Sequence, residues 1–521
     1  LCYRAAVQRV VEVGAISIAL VVACARPQVP QPGQLATADA ALLRGCYDCL
    51  IEARDIYRRL ATGGDRAQLA ARVLEADLLL ALREGELGLP PSDALAEARQ
   101  IATTMPPDLE AGRYIELVAA IPPSDLGVAR RELWAFRNAH PLDDDRLAEL
   151  RRLLSNGRLR KPVRDYLQLA LDCGHFIGVP LGPGEAPVAP PSGALLLRYR
   201  AAICGAGEMP ELVAVRAGEP RFVEASLFIA RVEIAQILSD GPREAKAHLD
   251  EVLARFPSSP AATYLAGTYH TAVSDHAEAL RFYDRMLGLH PDHDPALRGR
   301  VISLSNLERA EEAIDAATQL IARDEDERFG AYYWRARNHH GLRHLDDARR
   351  DVTAAKELGG SEDLLVLAGL VEYEQGDLDI AQADLTIVAG AHGLRCEANW
   401  YLGLIERLRK RWPGAWLAFE EAMRCYGERA RITAGQIRTL EARSDLDPGY
   451  RARTAAYLEA SVASDTKQGH VASLTAAGSA AAAADYAAAR RLIDQVGDDP
   501  ELADRVAKLR AWLDRSHSTP P

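Results

Sequence analysis

Two clusters in this chain have residue types and spacings that carry chemistry elsewhere: Cys46 and Cys49 in CYDC, and His339, His340 and His344 in NHHGLRH. A C-x-x-C pair can attach haem, hold zinc or cycle between thiol and disulfide. Haem attachment needs histidine directly after the second cysteine, and Leu50 stands there. Zinc wants a second nearby pair, which the chain does not offer. A thioredoxin-type motif belongs to a βαβ setting that is missing here. Cysteines that pack within a helix are the plainest reading, with a local disulfide as the alternative. The four-residue step from His340 to His344 suits a metal on a continuous helix, but Gly341 marks a turn and no carboxylate or cysteine completes an evident set. A solvated turn is expected, and no metal. There is no HExxH, no Gly-x-Ser-x-Gly and no phosphate-binding glycine loop. Carboxylate pairs fall at ordinary helix-surface spacing. No catalytic residue, no cofactor and no enzyme is expected.

The elements that would hold these side chains are helices. Ala and Leu are abundant and alternating β-branched runs almost absent. Of the 521 residues, 48% are hydrophobic and 26% charged, values ordinary for a folded chain. The net charge is −12, and with no basic block the chain is a poor ligand for nucleic acid. At the N-terminal end, Val13–Ala23 is apolar apart from Ser17, and Arg4 and Arg9 precede it. That run is well short of the roughly 20 residues a membrane-spanning helix requires. An ordinary secretory signal or a buried strand would both fit it. Its last residues, Val21-Val22-Ala23-Cys24, resemble a bacterial lipobox, and the proline- and glutamine-rich stretch after Cys24 suits a tether. The resemblance implies cleavage after residue 23, lipidation of Cys24 and a membrane anchor. Ala25 in place of Asp then implies the outer membrane, facing the periplasm. Leu1 fits either an alternative bacterial start codon or a truncated N-terminus.

Self-similarity organises the middle of the chain. Ala245, Ala279, Ala313, Ala348, Ala381 and Ala415 recur at steps of 33 to 35 residues. Four residues after each comes Leu249, Tyr283, Ala317, Val352, Leu385 or Phe419. Three further on are Val252, Met286, Leu320, Ala355, Val388 and Ala422. Gly267, Gly369 and Gly403 lie twelve residues before three of the alanines. Pro257, Pro291, Gly360, Gly393 and Gly427 follow five of them at twelve residues, where they are expected to stop a helix; Glu325 is the exception. The pattern resembles the tetratricopeptide repeat, a helix-turn-helix unit of 34 residues. Small residues at its eighth and twentieth positions let two helices approach. The resemblance implies an all-α superhelical solenoid of antiparallel helix pairs.

The expected organisation is a signal peptide over 1–23, a lipidated cysteine and flexible tether over 24–37, and an N-terminal helical module over 38–176. A Pro/Gly-rich linker over 177–193 follows, then the repeat array over 194–427, and degenerate repeat helices with a cap over 428–515. Gly45 and Tyr47 are placed at a turn. The Pro-Pro pairs at 90–91, 106–107 and 122–123 are expected to open short helices.

In the resembled family, the first helix of each unit lines the concave face with positions 2, 5, 9, 12 and 13. Those positions here include Tyr264, Arg298, Tyr333, Arg337, His340, Tyr373, Trp400 and Arg407, types that dominate interface energetics. In the first unit, Leu227, Ile234, Ile237 and Leu238 read instead as core. In the same repeat coordinates, Cys396 and Cys425 fall at ends of antiparallel helices that should meet, which makes them the preferred disulfide. Cys173 and Cys204 form a weaker candidate. The Lys/Asn clamp that some members use on a C-terminal carboxylate is not reproduced. The resemblance implies a scaffold or assembly factor binding unidentified protein partners in the cell envelope. The alternative is a polysaccharide-binding or exopolysaccharide-export scaffold.

Overall fold

A computed structural model of the chain describes residues 32–61, 66–89, 92–106, 110–121, 139, 144–156, 158–173, 194–204, 209–236, 244–323, 326–389, 395–444, 446, 448–497 and 499–517. These residues form α-helices joined by short turns, with no strand among them, in an all-α solenoid of antiparallel pairs. No helix of the described residues is long and apolar enough to cross a membrane. Residues 1–23, Cys24 and the 177–193 linker lie outside them, as do Ile237, Leu238, Glu325, Gly393 and most of the Pro-Pro residues.

The expected tether ends early, because helix Pro32–Arg44 takes up residues 32–37. Proline's fixed φ suits a first helical turn. Leu35, Ala38, Ala41 and Leu42 then recur on one face and bury it against the N-terminal core. That core gathers helices Tyr47–Ala61, Arg66–Leu87, Ala94–Ala102, Ala111–Ala120, Asp144–Ser155 and Lys161–Cys173. Helix Leu195–Cys204 is shared: Leu196 and Leu197 face this core, while Tyr199 and Ile203 join a second one that runs on to Val273. The second core also holds Cys46, Cys49 and Leu87, so the N-terminal helices and the array pack without a break. Ser259 ties them directly: its hydroxyl donates to the Leu87 carbonyl (2.7 Å) and accepts the Ala262 N–H.

The array runs as pairs: Pro260–Ala272 with His276–Leu289, Asp294–Asn306 with Ala310–Arg323, Arg328–Gly341 with Leu345–Leu358, Glu362–Gln375 with Leu378–Ala389, and Arg395–Leu408 with Trp412–Glu441. Close approach explains the glycines at the eighth position. A Cβ on Gly267, Gly369 or Gly403 would lie 2.7, 2.5 or 2.7 Å from Tyr283, Leu385 or Phe419, sixteen residues on. The turn within each pair is built on one left-handed residue at position 15: Ser274, Glu308, Arg343, Gly376 and Lys410. The next N–H reaches back five residues each time, as in Asp275 to His270 (2.8 Å) and Arg411 to Glu406 (2.9 Å), closing the orphan carbonyls of the first helix.

The pairing then changes scale. Gly427 does not stop its helix: Trp412–Glu441 runs through it for 30 residues, and Pro448–Ala482 returns for 35. Tyr426 and Ala430 on either side remain buried, and that packing carries the helix on past a residue that only weakly disfavours it. The 34-residue unit resumes at His470, with Ala484 left-handed at its position 15 and Asp485 bonded back to Ala480. Residues 430–469 are thus an inserted helical hairpin. Arg429 fastens its base, bonding Glu397 (2.8 Å) and the buried Asp465 (2.7 Å). At the far end Leu446 is buried, and Tyr450 packs against the core of residues 46–273. Helices Tyr486–Asp494 and Ala503–His517 finish the fold over a core centred on Ala477, Ala489 and Leu492.

Candidate interaction surface

Successive first helices of the pairs carry the predicted groove residues at equivalent turns, so their side chains form a row across five units. Tyr264 is half-buried, with its ring 4.9 Å from the His293 imidazole. Arg298 donates to both oxygens of Glu327 (2.8 and 3.1 Å), a residue of the turn leading into the next unit. Tyr333 stands edge-on to Trp334 at 5.4 Å, and burial raises its phenol. Arg337 is exposed, with its guanidinium 5.1 Å over the Trp334 ring. His340 lies 3.2 Å from Glu374 of the following unit. Tyr373 meets Tyr401 edge-on at 5.5 Å. Trp400 packs on Phe419 at 5.0 Å, and exposed Arg407 reaches over the same ring.

The row is therefore stitched from unit to unit by Arg298 to Glu327, His340 to Glu374 and Tyr373 to Tyr401. Tyr333, Arg337 and His340 share one helix; Tyr264 and Arg407 lie at opposite ends. Arg337 and Arg407 face aromatic rings and have no carboxylate partner among the described residues. In the first unit Leu227 and Ile234 are buried in the core. Sequence reasoning passed over Glu374 and Leu408, both at position 13; Leu408 leaves 57% of its surface exposed. Their position in the repeat was the available signal.

The cysteines differ from the packing reading. Cys46 and Cys49 are joined by a disulfide, Cα–Cα 4.9 Å, and both are fully buried, so neither is a free thiol. The pair opens helix Tyr47–Ala61, and one helical turn brings the two Cβ atoms within bonding reach. Cys396 and Cys425 are also bonded, across the first and second helices of one unit. Cys204 is disulfide-bonded as well, while the side chain of Cys173 lies outside the described residues.

Residues 239–294 and 366–430 match the family described as tetratricopeptide repeat. Those two stretches are similar to tetratricopeptide repeats. Among solved structures it is similar to the APC/C heterotetramer Cut9–Hcn1, with 14% identity over 87% of this chain and 90% of that one, TM-score 0.35. A tetratricopeptide repeat protein from Parabacteroides merdae is 17% identical over 55% of this chain and 98% of that one, TM-score 0.32. Yeast Tom70 is 11% identical over 80% and 88%, TM-score 0.30. No curated protein matches the chain. The matched stretches include Tyr264, Tyr373, Trp400 and Arg407, while Arg298, Tyr333, Arg337 and His340 sit on the helix pairs between them.

Proposed function

We propose that this chain is a non-enzymatic scaffold that binds a protein partner along the row from Tyr264 to Arg407. In this reading Cys24 carries a lipid that holds the scaffold at the bacterial outer membrane, facing the periplasm. Tetratricopeptide repeats generally serve protein binding rather than catalysis, which supports the coarse part of the reading. The observation that carries the finer part is the placing of Arg337 over the half-buried Trp334 and of Arg407 over the buried Phe419, neither arginine having a carboxylate partner among the described residues. A desolvated ring with a cation above it is the usual composition of a binding hot spot. A segment presenting acidic and apolar side chains would complement it.

Photo-crosslinkers placed at Tyr333 and Tyr373 in the full chain test the reading. One common protein adduct is expected at both positions, absent when the probe replaces outward-facing Ile387, and weakened at least about tenfold by Arg337→Ala, consistent with a hot-spot residue worth more than 1 kcal/mol. Equal adducts at all three positions would overturn it. Recovery of glycan rather than protein would favour polysaccharide binding. Cys24→Ser is expected to move the protein from the membrane fraction to the soluble one.

A further inference from the structure

His339 ends one helix of the fourth unit and His344 precedes the other, five residues later. On a continuous helix a step of five turns two side chains away from each other. Here Arg343 takes a left-handed φ of 64°, and the His344 N–H donates to the His339 carbonyl at 2.8 Å. The chain folds back, and the two imidazole centroids come to 5.9 Å. Asp347 joins them from the first turn of helix Leu345–Leu358. One ligand atom from each of the three lies within 4.8 Å of the other two. This is the carboxylate whose place in the set the sequence spacing did not reveal.

The surroundings match a metal-binding imidazole. His339 Nδ1 is buried and has no hydrogen-bond partner. The opposite nitrogen faces Asp351 at 3.9 Å, and Arg335 holds that carboxylate with two bonds of 2.8 and 2.6 Å. A carboxylate behind the second nitrogen is what orients ligating histidines in metal sites. His339, Asp347, Arg350 and Asp351 line a cleft of about 440 Å³, with room for a water ligand.

We propose that His339, His344 and Asp347 bind one divalent transition-metal ion of the zinc class. Two imidazoles and one carboxylate suit zinc, cobalt or nickel; calcium and magnesium prefer all-oxygen sites. With bonds of about 2.0–2.2 Å, tetrahedral ligand atoms stand roughly 3.3 Å apart, so the three groups must close slightly. His344 is exposed and free to swing inward. Arg350 now pairs with Asp347, but this exposed i,i+3 ion pair is worth little and yields to a dication. An ion there pins the turn of the unit that also carries Tyr333, Arg337 and His340.

The test uses the full chain stripped with chelator. Calorimetry with zinc is expected to show one ion per chain, and cobalt to give the visible bands of a four-coordinate N/O site. His344→Ala and Asp347→Asn should each weaken binding at least about tenfold, with the helical circular dichroism unchanged. His340→Ala, whose imidazole faces Glu374, should leave binding intact. Zinc binding unaffected by His344→Ala and Asp347→Asn, or no ion held more tightly than about 100 µM, would overturn the proposal.

Discussion

Glu224 is wholly buried where the N-terminal helices meet the array, and its environment sets a pH response. One oxygen accepts the Tyr47 N–H and faces Arg83 at 3.4 Å; the other has no hydrogen-bond partner. Arg83 is buried too, lying 4.1 Å over the Tyr199 ring and donating to the Gly45 carbonyl at 2.8 Å. Its second carboxylate, Glu86, also collects Arg200 (2.7 Å), Tyr166 (2.9 Å) and Tyr199 (3.0 Å). Burial acts to raise Glu86, but Arg83 and Arg200 outweigh it and hold the carboxyl below its ordinary value. Glu224 has fewer partners, and burial pushes it up to about 7 against the pull of Arg83. The unfolded chain releases that proton near 4.5, so folding retains a proton over the interval between. The stability Glu224 contributes is full below about pH 4.5 and is lost as pH rises through about 7. Glu224→Gln keeps the acceptor for Tyr47 and removes the titration. The melting temperature of the native chain, relative to this variant, is expected to fall between pH 5 and pH 8. A difference that stays flat or rises would mean Glu224 is ionised throughout. None of this network was legible in the sequence: LREGEL gives no sign that Arg83 and Glu86 are buried, because their partners are distant in the chain.

The repeating helix pair was legible where it depends on residue size and hidden where it depends on backbone conformation. Gly267, Gly369 and Gly403 face Tyr283, Leu385 and Phe419 at distances no Cβ allows, so a glycine and a larger residue recur together and the eye can find them. The left-handed turn recurs as strictly, yet Ser274, Glu308, Arg343, Lys410 and Ala484 share no chemistry, and only Gly376 is the residue that favours it. The geometry is imposed by the helices on either side, so the letters do not encode it. The gathering of His339, His344 and Asp347 at one turn stayed hidden for that reason, whereas the last unit, which starts at His470, was legible from its alanine run and final helix over 471–515. Gly427 was misread in the opposite sense, since glycine marks a stop only where packing lets the helix end. Two alanine substitutions separate these roles. Gly403→Ala drives a Cβ into Phe419 and is expected to cost about 1–3 kcal/mol. Gly427→Ala meets nothing within 4 Å inside a continuing helix and is expected to add about 0.5–1 kcal/mol. Urea unfolding of both variants measures the two effects, and equal signs would contradict the assignment.

A solenoid of stacked helix pairs ordinarily shares stability only between neighbouring units, and here the inserted hairpin adds a connection that skips along the chain. Its base is fixed to the sixth unit through Arg429, Glu397 and Asp465, while Tyr450 at its far end packs on the core that holds the second unit and the N-terminal helices. At 1.5 Å per residue, helix Trp412–Glu441 extends about 20 Å past Gly427, enough to leave the body of its own unit. The hairpin surface is polar and alanine-rich with isolated exposed groups such as Ile432 and Tyr457, so its shaft buries little and its position depends on the two ends. The sequence read 428–515 as degenerate repeat helices with a cap on the strength of the alanine run and final helix over 471–515, and the hairpin ahead of them was missed because 430–469 carries no spacing of a unit. The end contact is small: a fully buried aromatic is worth about 1.5–3 kcal/mol, and Tyr450 is only partly covered. Such a contact opens often enough to be seen by hydrogen exchange without unfolding the array. Tyr450→Ala is therefore expected to speed exchange over residues 442–455 while helices Glu362–Gln375 and Leu378–Ala389 keep their protection. Unchanged exchange at 442–455 would show that the hairpin holds its course from the base alone, through Arg429 and the helix pairing. Faster exchange throughout the array would instead make the far-end contact part of the solenoid's own cooperative unit.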